Sequence, residues 1–142
     1  MALAPRLFAA AACGGAPTSA APSPSKAQYT VKPNTTLRPG LGVTDCGTFT
    51  LAQGEQLPDQ AARCFADEAG AGHRALLKLT RPTVEGAPIH VTYTSGDDGR
   101  TEVVTDSRAD NFGPRTVTTE DCQGPKPGPY GIDFTSCVRV TK

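Results

Sequence analysis

Two carboxylates, a guanidinium and a hydroxyl crowd one short stretch, Asp106-Ser107-Arg108-Ala109-Asp110-Asn111-Phe112-Gly113. Carboxylates buried together can do acid–base work, because like charges in one site raise the proton affinity of one member. Glu85, in the turn Thr83-Val84-Glu85-Gly86, is a third candidate for such a cluster. Left exposed, the same groups would instead make a small polar recognition site. The most economical use is local: Asp and Ser side chains bond their own backbone in a capped loop, while Phe112 plugs the core. The candidate binding loop is therefore Glu85, Asp106, Ser107, Arg108 and Asp110.

Other reactive side chains form no catalytic constellation. His73 and His90 are the only histidines, and no Gly-x-Ser-x-Gly elbow or other nucleophile motif stands ready to pair with them. Both are expected at the surface. Asp97-Asp98-Gly99 lacks the spaced carboxylates and closing Glu of a calcium loop; it reads as a hairpin turn. No Cys-x-x-Cys pair occurs, so neither a metal site nor a cofactor is expected. The chain is not expected to be an enzyme; a small hydrolase using the carboxylate cluster is the catalytic alternative.

The five cysteines divide by position: Cys13, then Cys46, Cys64, Cys122 and Cys137. The run Leu7-Phe8-Ala9-Ala10-Ala11-Ala12 before Cys13-Gly14-Gly15 resembles a bacterial lipobox, which makes Cys13 the candidate lipidation site. Arg6 is the only positive charge before it, and the apolar run is short for a signal, which leaves a start upstream of Met1 open. Residues 1–12 are expected as signal peptide. Residues 13–28, rich in Pro, Ser and Ala, form a tether unable to bury a core. Four cysteines in an exported domain imply two disulfides. Three pairings are possible, of which the local one, Cys46–Cys64 with Cys122–Cys137, is favoured. Each such loop contributes roughly 3 kcal/mol by the chain-entropy argument.

Residues 29–142 then make one small domain. Lys and Arg number 14, as do Asp and Glu, and there is no Trp. No basic stripe exists to neutralise phosphates, so nucleic acid is not an expected partner. No later apolar run approaches the ~18 residues of a membrane helix. The expected partners are the membrane, through a lipid on Cys13, and an envelope protein.

The elements that must position these groups follow from periodicity. Thr48–Leu51 is a short extended segment. Leu57, Ala61, Cys64, Phe65 and Ala69 recur at helical spacing, with Pro58 in the first turn and Gly70 and Gly72 as a stop, predicting a helix over Pro58–Ala69. Asp59 and Arg63 are placed to pair one turn apart. Beyond it the period becomes 2: Ala75–Leu79, then Ile89, Val91 and Tyr93 facing inward, a turn at Ser95–Gly99, and a return over Thr101–Asp106. Arg115–Glu120 and Ile132–Thr141 are the last strands, joined through a Pro/Gly segment, 124–129, that cannot form a central strand. The expected fold is α+β: one N-terminal helix packed on an antiparallel four- to five-stranded sheet, with two disulfides.

Two segments carry a family resemblance. Arg81-Pro82-Thr83-Val84-Glu85-Gly86-Ala87-Pro88-Ile89 and Asp106–Gly113 resemble paired signatures of a family of uncharacterised bacterial lipoproteins with a domain of unknown function: a Thr-Glu-Gly-Asp-Pro-Ile turn, then an Asp-x-x-x-Asp-x-Phe-Gly loop and two late cysteines. Here Val84 is inserted after the Thr, and Ala87 stands for the Asp. The resemblance implies an anchored envelope protein on the extracytoplasmic face and no particular activity. The spacing of Cys46 and Cys64 around a Pro-led helix also resembles secreted subtilisin-type protease inhibitors, which carry a reactive loop beside a third cysteine; Thr118-Thr119-Glu120-Asp121, ahead of Cys122, offers no anchor side chain. The expectation is thus a binding or scaffolding module tethered at the cell surface. An inhibitor of an exported enzyme, either tethered or secreted, is the alternative.

Overall fold

A computed structural model describes residues 42–141; the signal segment, Cys13, the tether and residues 29–41 lie outside the described residues. The element order is β1 (Thr44–Thr50), α1 (Asp59–Gly70), β2 (Ala75–Pro82), β3 (Pro88–Ser95), β4 (Thr101–Asp106), β5 (Val117–Gly128) and β6 (Gly131–Arg139). The strands form one sheet in chain order.

The class is α+β with two disulfides, but three expectations need correction. The sheet has six strands, not four or five. It is mixed, not antiparallel: β1 pairs parallel with β2, and all later neighbours pair antiparallel. The helix is not N-terminal, because β1 precedes it. These corrections share one cause. A parallel pair needs a long crossover, and α1 supplies it between β1 and β2. A separate finding concerns 124–129: β5 runs through Pro125 and Pro127 to Gly128. Pairing with β4 ends where Thr101 meets Cys122. Beyond that point β5 has only β6 beside it, so on its β4 side a proline's missing N–H removes no ladder hydrogen bond.

The helix forms where expected. Asp59 complements the positive end of its first turn, and Arg63 Nε meets Asp59 Oδ2 at 2.6 Å on the exposed face. Its inner face, Ala61, Ala62, Phe65, Ala66 and Ala69, is short except for Phe65, so the helix lies close to the sheet. Facing it are Leu77 and Leu79 of β2, Val91 and Tyr93 of β3 and Val103 of β4, all buried. The register aligns them, with Leu77 opposite Tyr93 and Tyr93 opposite Val103. Each large side chain buried this way contributes roughly 1.5–3 kcal/mol.

The distal half of the β5–β6 ribbon folds back over this same face. Ile132 is buried in the core, Phe134 stacks on Tyr93 at 6.3 Å, and Phe65 meets Tyr93 at 5.8 Å in a tilted contact. Leu57 N–H donates to Pro129 carbonyl at 2.8 Å, joining the ribbon tip to the start of the helix. Gly131 makes this approach possible. Its φ is +154°, and a Cβ there would run into the Tyr93 hydroxyl. Burial raises the Tyr93 pKa above its ordinary value, against a backbone hydrogen bond at Ile132 that lowers it.

Both local disulfides are present. Cys46–Cys64 ties β1 to the helix, and Cys122–Cys137 ties β5 to β6. Disulfides of this kind fit an exported protein. No helix among the described residues is long and apolar enough to cross a membrane.

Candidate functional site

The sheet's topology gathers three connections at one end. The β2–β3 turn follows Pro82, and the β4–β5 loop follows Asp106, with Pro82 opposite Pro88 and His90 opposite Asp106 in the ladder. The β1–α1 connection leaves from the same end, since β1 is parallel to β2. Glu85 and the Asp106–Asp110 group therefore share an end of the molecule. They do not share a site.

Glu85 lines a cleft of about 540 Å³ with Leu51, Gln53, Arg81, Val84 and Tyr130. Gln53 Nε2 donates to the carbonyls of Thr83 and Val84 at 3.3 Å each, bracing the turn. The Thr83 hydroxyl accepts from Ala87 N–H at 3.1 Å, closing it from within. The lining includes none of Asp106, Ser107, Arg108 or Asp110.

Those four residues fasten a loop to itself. Asp106 Oδ1 accepts from Arg108 Nε at 3.0 Å and from Arg108 N–H at 3.1 Å; Oδ2 accepts from Arg108 Nη2 at 2.6 Å. The forked guanidinium matches the carboxylate geometry. These bonds lower the Asp106 pKa to about 2, with a smaller contribution from His90 alongside. The Ser107 hydroxyl donates to Thr116 carbonyl at 3.0 Å and accepts from Thr116 N–H at 3.2 Å, while Ser107 N–H donates to the same carbonyl at 2.9 Å. Asp110 Oδ1 accepts from Phe112 N–H at 3.0 Å, an Asx turn. Gly113 packs so tightly against the Asp110 carboxylate that any Cβ would overlap it. Arg115 Nε donates to Arg108 carbonyl at 3.2 Å from a left-handed backbone, φ +51°. It is the only non-glycine residue with positive φ among the described residues, a conformation that costs on the order of 1–3 kcal/mol.

Phe112 sits on this frame and points outward, 81% exposed. The expectation that it plugs the core is wrong. Asp110 turns the chain at Phe112 and leaves its ring in solvent. The local reading of Asp106, Ser107 and Asp110 is correct, and it gives the loop a fixed shape. Phe112 is the exposed residue that type and spacing alone assigned to the core. Its signal was a large apolar side chain between turn formers, Asn111 before it and Gly113-Pro114 after.

His73 and His90 are exposed, with Nδ1 at 3.2 Å from Glu68 Oε2 and at 2.9 Å from Thr80 Oγ1 respectively. Asp98 Oδ1 accepts from Arg100 N–H at 3.1 Å within the β3–β4 turn, which Gly96 N–H closes on Arg100 carbonyl at 2.9 Å. Thr118–Asp121 lie inside β5 and not in a protruding loop beside Cys122. No group of three or more His, Cys, Asp or Glu able to hold a metal occurs among the described residues.

No family model matches the chain, and no curated protein or solved structure matches it either.

Proposed function

We propose that this chain is a binding module of the bacterial envelope, tethered through a lipid on Cys13, that docks a protein partner on its 107–116 loop with Phe112 as the anchor. One observation carries the proposal: an aromatic side chain 81% exposed at the tip of a loop that nine hydrogen bonds among residues 106–116 hold in shape. Ordering a loop on binding consumes free energy, and a loop ordered beforehand avoids that loss. Anchors of this kind fill apolar pockets on the partner. Burying the Phe112 ring returns roughly 2–3 kcal/mol.

A hydrolytic role draws less support. A general acid working near neutrality needs a raised carboxyl pKa, and Arg108 drives Asp106 the other way. The inhibitor alternative rests on the same exposed loop; it differs only in the partner being an enzyme.

Photocrosslinking in the host envelope tests the proposal. Phe112→p-benzoylphenylalanine should give one discrete adduct, and the same substitution at Lys78, on the sheet's open face, should give none. Adducts from position 78 alone would overturn it, as would none from 112. Once the partner is in hand, Phe112→Ala should weaken its binding about 30-fold without changing the chain's Tm.

A further inference from the structure

The two disulfides occupy opposite surroundings. In Cys46–Cys64, Cys46 is 1% exposed and Cys64 is half-buried against the core. In Cys122–Cys137, Cys122 is equally buried, but Cys137 is exposed on β6, an edge strand of the sheet. Thiol–disulfide exchange needs access to one sulfur only, so exposed Cys137 offers a more open route than half-buried Cys64 does.

A second observation bears on the other sulfur. Cys122 lies directly opposite Thr101 of β4. Thr101 is fully buried, and its hydroxyl has no hydrogen-bond partner among the described residues. Residues directly opposed across an antiparallel pair carry side chains about 5 Å apart on the same face. That hydroxyl stands on the face that carries the sulfur that would leave as a thiolate and bonds nothing in the closed bridge; a thiolate that gained it as a donor would be stabilised and would leave faster.

We propose that Cys122–Cys137 is a thiol-exchangeable bridge, opened at the Cys137 sulfur by a dithiol while Cys46–Cys64 stays closed. A thiolate of the dithiol attacks Cys137 Sγ, forming a mixed disulfide. The Cys122–Cys137 bond breaks, and its electron pair leaves on Cys122 Sγ, opposite Thr101 in the ladder. The second thiolate of the dithiol then displaces Cys137 Sγ. The dithiol departs as its own disulfide, oxidised by two electrons, and Cys122 and Cys137 take up the two protons it lost.

The fold tolerates this opening. Asp121 opposite Val138 and Gln123 opposite Ser136 flank the bridge in the ladder, and Ile132 and Phe134 hold the distal ribbon on the core independently. The bridge sits where β5 leaves β4, so opening it frees the ribbon at its base and not at its tip.

The test uses the full chain, oxidised, with any free thiol first blocked by N-ethylmaleimide. Limiting dithiothreitol is added, new thiols are trapped with iodoacetamide at intervals, and peptide mapping assigns them. Cys122 and Cys137 should acquire label at least tenfold faster than Cys46 and Cys64, and the singly opened protein should keep a dispersed proton NMR spectrum. Equal rates for the two bridges, earlier opening of Cys46–Cys64, or a collapsed spectrum would each overturn the proposal. Thr101→Val should slow opening of Cys122–Cys137 several-fold while leaving Cys46–Cys64 unchanged. An unaltered ratio between the bridges would remove Thr101 from the mechanism.

Discussion

The Asp106 carboxylate accepts three hydrogen bonds from a single residue, Arg108, two from the guanidinium and one from the backbone N–H. Protonation would break the charge-assisted part of this set, which is why the pKa falls to about 2. The sign of the pH effect follows. An unfolded Asp titrates near 3.9, so the folded state gains from this group above that pH and loses the gain as pH falls through about 2. A carbon-13 titration of the Asp106 carboxyl should give a midpoint near 2 in the native chain, and Arg108→Ala should return it to the ordinary carboxylate range. A native midpoint near 4 would mean the fork does not form in solution. Exposed ion pairs add little to global stability, so the same variant should shift Tm only slightly while loosening the loop. At this scale the sequence was half legible: Asp106, Ser107 and Asp110 are turn formers, and their local use could be read from type and spacing. The outward direction of Phe112 could not, because it depends on whether the core beneath has room.

At the scale of elements, helix and hairpin were legible because their signals are local. Pro58, Asp59 and the Leu57-Ala61-Cys64-Phe65-Ala69 spacing define α1, and Asp98-Gly99 defines the β3–β4 turn. The parallel pairing of β1 with β2 was hidden, since nothing within Thr44–Thr50 states which neighbour it joins. The distal ribbon was hidden for a related reason. Pro125 and Pro127 argue against a strand within a sheet, and only the end of β4 at Thr101 makes that argument inapplicable. The ribbon's return over the core depends on Gly131, which meets both the Tyr93 hydroxyl and Leu79. Gly131→Ala should destabilise the fold by about 2 kcal/mol through overpacking and an unfavourable φ, measured by urea unfolding. A change below half that value would place the ribbon farther from Tyr93 than described.

For the whole molecule, one face of the sheet carries the helix and the ribbon, and the disulfides divide the labour of holding them. Cys46–Cys64 fixes the helix to β1 where no strand ladder joins them. Cys122–Cys137 joins strands already paired along their length. The two bridges close loops of similar length, so the double variants Cys46→Ala/Cys64→Ala and Cys122→Ala/Cys137→Ala should each lose about 3 kcal/mol by chemical denaturation. Anchoring through Cys13 belongs to the proposed placement at the envelope, and the intact mass of the native chain from its host membrane reads it directly: a diacylglyceryl group on a chain beginning at Cys13 is the expected result. The functional account depends most on one physical property, the rigidity of the loop that presents Phe112. Nitrogen-15 relaxation of the free chain measures it. Residues 107–116 should show order parameters near 0.85, level with the strands on either side. Values below about 0.6 would mean a flexible loop, and a preformed aromatic anchor at Phe112 would then be contradicted.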